Sequence, residues 1–304
     1  MTTPAPPQRY PARASVIGEG TPIRRALPHR ARRLVGAWCF LDHAGPVQFA
    51  PGDGLHVGAH PHIGLQTFTW MIEGEVMHRD SLGHEQVVRP GQVNLMTAGR
   101  GIAHTEDSVS DGGRMHAAQL WIALPGAERQ REPAFAHHPV LPQVQAGGFT
   151  ATVLAGTALG QTAPTQVFSP LVGIDLTSRG PARTTVPLDA GFEYGLMVLR
   201  GQALVEGAPL PQDELLYLAP GRTALDIRAD AEAQLLLLGG APFGEDVIVW
   251  WNFVARTQAE LAEALADWNA APNAGGRFGT VRAGSPAAPL QAPGLEGVRL
   301  QAGR

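Results

Sequence analysis

Two short stretches of the sequence carry metal-competent side chains in pairs, with one residue between the members of each pair. The first stretch is His60-Pro61-His62 and the second is His104-Thr105-Glu106. Residues i and i+2 of an extended strand point to the same face, so each pair directs both of its side chains into one space. If the segment between them folds back as antiparallel strands, three imidazoles and one carboxylate converge. The spacing therefore predicts a mononuclear metal site inside a β-barrel.

The donor set narrows the chemistry of such a site. Three neutral imidazoles and one carboxylate suit Fe(II), Mn, Ni, Cu or Zn. Four protein ligands leave open positions in an octahedron for a substrate oxygen and O₂, whereas a closed structural zinc site more often contains cysteines. The chain has a single cysteine, Cys39, which excludes a cysteine-based zinc site and an intramolecular disulfide. The donors therefore indicate an open, redox-active site.

The composition restricts the remaining classes of function. The chain has 304 residues, of which 44% are hydrophobic and 16% charged, as is typical of a globular protein with two domains or one large β-rich unit. No apolar run approaches the roughly 20 residues of a membrane helix, and residues 1–13 lack the apolar core of a signal peptide. A net charge of −4 without a basic run gives no electrostatic basis for nucleic-acid binding. We expect a cytoplasmic protein with no direct nucleic-acid partner and no membrane partner.

Turn residues separate short apolar runs along the whole chain. The 37 glycines and 26 prolines punctuate these runs and predict an all-β fold, a sandwich or a barrel, rather than a helical one. We expect residues 1–13 to be disordered and residues 14–138 to form an N-terminal, metal-binding barrel. Residues 139–256 are predicted to form a C-terminal barrel without metal. Residues 257–304 are predicted to form a short helix and a tail that pack back on the barrels.

The second half of the chain repeats part of the first. Residues 195–201, 210–218 and 233–238 parallel residues 68–74, 89–96 and 118–123, in that order, which indicates a duplication. All 11 histidines lie at or before His138. The second copy therefore cannot form a histidine site.

The segment 257–268 has the strongest helix signal in the chain. Thr257 suits the N-cap and Glu260 stands at the capping-box position. Leu261, Leu265 and Trp268 fall on one face, and we expect the aromatic segment 250–253 to pack against the helix.

The other histidines carry weaker expectations. His43 and His56 are expected in exposed loops, with the mouth of the site as the alternative. Surface positions or hydrogen-bonded strand positions are expected for three more, His78, His84 and His116. His137 and His138 are expected in a connection, without a specific role.

With these residues placed, the chain resembles the pirin family, whose members are cupin proteins built from two stacked β-barrels (bicupins). The resemblance extends from Arg24 to Gly279. The stretches that carry it are Arg24-Arg25-Ala26-Leu27-Pro28, Phe40-Leu41-Asp42-His43-Ala44-Gly45-Pro46, His60-Pro61-His62-Ile63-Gly64, Met96-Thr97-Ala98-Gly99-Arg100-Gly101-Ile102-Ala103-His104-Thr105-Glu106, Gly244-Glu245, Trp250-Trp251-Asn252-Phe253-Val254-Ala255-Arg256 and Gly276-Arg277-Phe278-Gly279.

The resemblance implies that the N-terminal barrel binds one metal ion. The ligands it implies are His60, His62, His104 and Glu106, and the metal it implies is Fe(II), with Mn, Ni, Cu and Zn compatible with the same donors. One departure is Gln66, where pirins often have a glutamate. We expect this change to alter hydrogen bonding around the site and to leave the ligands unaffected.

The resemblance also implies two functions, and both stay open at this point. One is an iron-dependent quercetin 2,3-dioxygenase, with a flavonol-like small molecule as its substrate. In that enzyme a substrate enolate would coordinate the metal, and Glu106 would be the catalytic base that removes the substrate proton. The other is a redox-sensing regulatory protein that modulates a transcription factor or a metabolic enzyme. The sequence identifies no surface for a protein partner.

Overall fold

The computed structural model describes residues 5–110, 112–282 and 284–303, and these residues form mostly β-strands. In the first half of the chain the strands are β1 (Gln8–Pro11), β2 (Arg13–Ile17), β3 (Thr21–Leu27), β4 (Trp38–Phe49), β5 (His56–His62), β6 (Leu65–Glu73), β7 (Val76–Asp80), β8 (Glu85–Val88), β9 (Val93–Thr97), β10 (Ile102–Ser108), β11 (Gly113–Ala123) and β12 (Ala134–His138). In the second half they are β13 (Gln143–Ala146), β14 (Phe149–Ala155), β15 (Thr157–Ala158), β16 (Gln161–Thr162), β17 (Leu171–Ser178), β18 (Ala182–Pro187), β19 (Glu193–Arg200), β20 (Ala203–Val205), β21 (Ala208–Leu210), β22 (Glu214–Leu218), β23 (Ala224–Ala229), β24 (Ala233–Gly240), β25 (Ile248–Trp250) and β26 (Phe253–Ala255). The helix α1 (Gln258–Ala270) and a 3₁₀ turn at Gly276–Phe278 follow. Among the described residues, no helix has the length and apolar character needed to cross a bilayer.

Two compact units make up the chain, and each is assembled from separate segments. The first unit contains residues 14–23, 44–139 and 244–303, and the second contains residues 5–13, 24–43 and 140–243. The chain changes unit inside β2, β3 and β4 and again near residues 140 and 244. Residues 24–43 lie in the second unit and residues 244–256 lie in the first.

The N-terminal segment is ordered from β1 onward. Strand β1 pairs antiparallel with β22, and Arg9 lies opposite Leu216. Arg9 also forms an ion pair with Glu214, with 3.2 Å between nitrogen and oxygen. The prediction of disorder is therefore wrong for residues 8–11, because backbone hydrogen bonds hold a segment whose Pro/Ala-rich composition does not indicate a strand.

In the first unit, two antiparallel sheets pack face to face. One has the strand order β5-β10-β7-β8, and the other runs β12-β9-β6-β11 and continues through β4, β3 and β2. Side chains from both sheets form one apolar cluster, which includes Val57, Val76, Val88, Met71, Met115 and Ala117. The all-β prediction is confirmed, and the open, paired sheets form a cupin-like jelly roll rather than a closed barrel.

The second unit has the same two-layered construction. Its sheets have the orders β1-β22-β19-β24-β17-β14-β13 and β18-β23-β20-β21. The cluster between them contains Leu196, Leu225 and Leu237.

A shared irregularity supports the predicted duplication. The strand order β22-β19-β24 repeats β9-β6-β11, and each central strand has one extra residue without a partner in the neighbouring strand, Ile72 in β6 and Leu199 in β19. The register also corrects one correspondence. Gln234 lies opposite Arg200 as His116 lies opposite Glu73, so Gln234 corresponds to His116, whereas the sequence comparison pairs it with Gln119.

The helix prediction is confirmed. The Thr257 hydroxyl accepts a hydrogen bond from the backbone N–H of Glu260 at 3.2 Å, as an N-cap residue does. Glu260 Oε2 in turn accepts the backbone N–H of Arg256 at 2.9 Å. The buried face of α1 joins Phe253 in one apolar cluster through its residues Leu261, Ala264, Leu265 and Trp268.

Candidate metal centre

The first histidine pair lies near the end of β5, the edge strand of its sheet. An edge strand tolerates Pro61, which has no N–H to donate to a partner. His60 lies opposite His104 of β10, and Ile102 lies opposite His62. The imidazole of His62 meets Trp121 of the facing sheet edge-on, with 5.2 Å between ring centroids. Strand pairing therefore directs these histidines into the interior of the first unit.

The three imidazoles of His60, His62 and His104 form a group that fits a metal ion. One ring nitrogen of each lies within 4.8 Å of the other two, and the rings are buried, with exposures of 5%, 1% and 1%. Burial lowers the pKa of His60 to about 4 and lowers the pKa of His62 and of His104 well below the ordinary value. The cause is the cost of removing a cation from water. The rings are therefore neutral, which is the form that binds metals.

Backbone carbonyls fix the orientation of two of these rings. His60 Nδ1 lies 2.9 Å from the carbonyl oxygen of Gly58, and His62 Nδ1 lies 2.9 Å from that of Asn252. A carbonyl only accepts, so each neutral ring carries its proton on Nδ1 and keeps the lone pair on Nε2. This is how proteins usually orient metal-binding histidines. The residues present therefore fit a divalent cation.

Glu106 lies on the same face of β10 but outside the group of three histidines. The pairing of β10 with β5 is irregular between His104 and Glu106 because β5 has one extra residue there, whereas β10 pairs with β7 without a break over the same residues. The Thr69 hydroxyl lies 3.4 Å from Glu106 Oε1. Burial raises the pKa of Glu106 to about 7. The raised pKa favours the protonated form of the Glu106 carboxyl.

A row of polar side chains crosses the facing sheet at the level of Glu106. The row consists of His137, Asn94, Thr69 and Gln119. Each lies directly opposite the next on a neighbouring strand, so all four side chains point to one face of the sheet. His137 Nδ1 lies 2.7 Å from Asn94 Oδ1, and the Thr69 hydroxyl donates to Gln119 at 2.8 Å. Asn94 Nδ2 is buried and has no hydrogen-bond partner among the described residues. This wall therefore offers polar groups, one of them an unpaired donor, to a molecule in the interior.

His78 is buried and reaches the histidine group, which the sequence reasoning missed. His78 Nδ1 lies 3.3 Å from His104 Nδ1, and His78 Nε2 lies 3.2 Å from Asp80 Oδ2. The ring of His78 stacks on Phe135, with 4.4 Å between centroids. The spacing of His78 and Asp80 on β7 is the same i, i+2 signal that identified the other pairs.

The remaining candidates are not members of the group of three histidines. His43 is buried, with its Nδ1 2.7 Å from Asp213 Oδ1, so the expectation of an exposed loop residue is wrong for it. His56 contacts Asp107 at 3.1 Å. Strand β12 contains His137, contrary to the expected connection. Gln66 donates to the Thr97 hydroxyl at 3.0 Å from the face of β6 opposite to Thr69.

Known proteins share this architecture. The family model Pirin matches residues 20–122, and the model of the Pirin C-terminal cupin domain matches residues 173–274. A protein of Pseudomonas aeruginosa, named provisionally as a quercetin 2,3-dioxygenase, is 53% identical over 97% of this chain and 89% of its own length. A pirin-like protein of Caulobacter vibrioides is 38% identical over 82% of this chain and 88% of its own. The crystal structure of a quercetin 2,3-dioxygenase from Acinetobacter baumannii has a TM-score of 0.92 and 50% identity, with 97% of each chain covered. The chain belongs to the pirin family.

Proposed function

We propose that the protein is a metal-dependent dioxygenase that acts on a flavonol such as quercetin. The observation that carries the proposal is the convergence of three buried, neutral imidazoles on the strands that also carry Glu106. Structural metal sites usually close all four tetrahedral positions with protein ligands, often cysteines, whereas an incomplete set of histidines leaves room for reactants. The names of the relatives from P. aeruginosa and A. baumannii support the same reaction and substrate class.

The residues proposed to hold the metal are His60, His62 and His104, with Glu106 as the fourth ligand. Fe(II) is the proposed metal, because sites that combine histidines with a carboxylate and leave open positions are typical of non-haem iron oxygenases. The same donors suit Mn, Ni, Cu and Zn. When bound, such a metal supplies Lewis acidity and redox chemistry.

Glu106 is the proposed catalytic base. A flavonol carries an enolic hydroxyl beside a ketone, and transfer of that proton to a carboxylate oxygen of Glu106 would break the substrate O–H bond and form the carboxylic acid. Burial raises the pKa of the Glu106 carboxyl, which makes its carboxylate a stronger base for this transfer. The unpaired amide donor of Asn94 is available to hydrogen-bond another substrate oxygen.

Reconstitution with separate metals tests the proposal. Metal-free protein is loaded anaerobically with Fe(II), Mn(II), Ni(II) or Cu(II), and O₂ uptake is then measured with quercetin. We expect O₂ uptake coupled to loss of quercetin with at least one of these metals. Absence of uptake with all four would overturn the dioxygenase assignment.

Substitution of one histidine tests the ligand assignment. His104→Ala should abolish stoichiometric iron binding and leave the far-ultraviolet circular dichroism of a β protein, because a ligand is lost and the apolar core is kept. His84→Ala is the matched control, since His84 lies outside the group of three. Full iron occupancy in His104→Ala would show that the site is elsewhere.

A further inference from the structure

His104 differs from the other two histidines in the group that its Nδ1 contacts. Carbonyl oxygens fix His60 and His62, but His104 Nδ1 faces a second imidazole, that of His78, at 3.3 Å. An imidazole nitrogen either donates or accepts, so this contact alone does not decide which nitrogen of His104 carries the proton.

The position of this proton matters because the two tautomers of His104 have opposite consequences for metal binding. His104 Nε2 lies 3.1 Å from His62 Nε2. With its proton on Nε2, His104 would donate to the lone pair of His62, and both nitrogens would be occupied by one hydrogen bond. With its proton on Nδ1, both Nε2 lone pairs face each other and are available to a cation.

Asp80 decides between these tautomers. Its carboxylate only accepts, and Asp80 Oδ2 lies 3.2 Å from His78 Nε2, so His78 carries its proton on Nε2. The lone pair of His78 is then on Nδ1, where it accepts the Nδ1 proton of His104.

The surroundings hold this chain of contacts in place. Asp80 Oδ1 accepts the backbone N–H groups of Leu82 at 2.9 Å and of His84 at 3.1 Å, which fixes the carboxylate in the turn after β7. Phe135 stacks on His78 with an interplanar angle of 13°. His78 and Asp80 are 3% and 2% exposed, so water does not compete for either contact.

We propose that His78 and Asp80 are positioning residues that hold His104 in its Nδ1-protonated tautomer and so prepare the site for a metal ion. The inference rests on the proposed function only in taking the three histidines as metal ligands. It assigns no contact with the substrate to either residue.

Asp80→Asn is the discriminating substitution. The amide oxygen can keep the two backbone N–H partners, while the amide NH₂ replaces Oδ2 and donates to His78 Nε2. His78 must then carry its proton on Nδ1 and donate to His104, which moves the His104 proton to Nε2. We expect the affinity for Ni(II), measured by competition with a chelator, to fall by about 10–100-fold, as is typical when the hydrogen-bond partner of a metal ligand is lost.

A second substitution separates tautomer control from loss of charge. In His78→Asn the side-chain oxygen can accept the His104 proton whichever residue is at position 80. Asp80→Asn should therefore lower the Ni(II) affinity in the wild-type background and have little effect in the His78→Asn background. An equal loss in both backgrounds would overturn the proposal and indicate a charge effect. His84 Nδ1 also lies 3.0 Å from Asp80 Oδ2, and its side chain is 44% exposed. Because His84→Ala leaves the contact between Asp80 and His78 in place, this variant should retain wild-type affinity.

The tautomer can also be measured without any metal. Long-range ¹H–¹⁵N NMR of the metal-free protein should show the His104 proton on Nδ1 in the wild type and on Nε2 in Asp80→Asn. A proton on Nε2 in the wild type would overturn the proposal. This readout is independent of the proposed function, which fails if the wild type binds none of the tested metals or turns over no quercetin.

Discussion

The buried carboxylate of Asp42 should make the stability of the second unit depend on pH. Asp42 is 1% exposed and forms two hydrogen bonds with the guanidinium of Arg25, at 2.7 and 2.6 Å. Arg25 also lies over the ring of Phe40, 4.5 Å from its centroid. Burial of a paired charge can cost more than the ion pair returns. We predict that Asp42→Asn becomes progressively more stable relative to the wild type as the pH rises from about 4 to 7.

The magnitude follows from the pKa of Asp42. Burial raises it from 3.8 to about 6, although the hydrogen bonds and charge of Arg25 act in the opposite direction. The folded state therefore binds the proton more tightly than the unfolded state, and ionisation of Asp42 costs folding free energy. This cost is absent at low pH, where both states are protonated, and grows as the pH rises toward 6. Above that pH it reaches about 3 kcal/mol.

Urea unfolding of both proteins, followed by circular dichroism in steps of pH, measures the effect. The difference in unfolding free energy between Asp42→Asn and the wild type should increase by about 3 kcal/mol in favour of the variant. The hydrogen bond to Arg25 that Asp42→Asn removes costs the same free energy at every pH. This cost cancels, because only the change of the difference with pH is compared. Asp230→Asn, which removes an exposed, ion-paired carboxylate from the same unit, controls for net charge. A difference that is flat or that falls with pH would refute the reasoning, since Arg25 would then outweigh burial.

Two further substitutions test the helix cap and a tight turn of the first unit. Thr257→Ala should lower the unfolding free energy by about 1 kcal/mol, because the N–H of Glu260 loses its acceptor, and Thr257→Ser should restore it; equal losses in both variants would contradict the cap. Gly64→Ala should cost more than the roughly 1–2 kcal/mol of a left-handed backbone, because φ is +68° and a Cβ atom would lie 2.1 Å from the Val254 carbonyl oxygen. Gly91→Ala, at φ +81° with no atom within 4 Å of its Cβ, incurs only the backbone cost, so equal thermal shifts in the two glycine variants would disprove the clash.

Local spacing was sufficient to find the three histidines. An i, i+2 pair is a property of one strand, so His60 and His62 share a face whatever the rest of the fold does. The same rule places Glu106 on the face of His104, and β10 pairs with β7 without a break between these two residues. The register with β5 is interrupted at this point by one extra residue of β5, and an insertion in a partner strand cannot be read from the spacing within β10.

Partners that are backbone atoms or distant segments could not be predicted in this way. The carbonyl of Asn252 holds His62 from a segment 190 residues further along the chain. The backbone carbonyl is the same in every residue, so no side-chain pattern marks it. The strand at residues 8–11 could not be predicted for the same reason, because backbone hydrogen bonds to β22 hold it in place.

His78 shows where spacing alone stops being informative. His78 and Asp80 have the same i, i+2 spacing as the two predicted pairs, yet nothing in β7 by itself indicates which strand lies beside it. The register supplies this information, because β10 lies between β5 and β7 and places His104 opposite both His60 and Asp80. A pair on β7 is therefore one strand further from the metal group and can act only through His104. For the same reason, the effect of Asp80→Asn on metal affinity should depend on the residue at position 78.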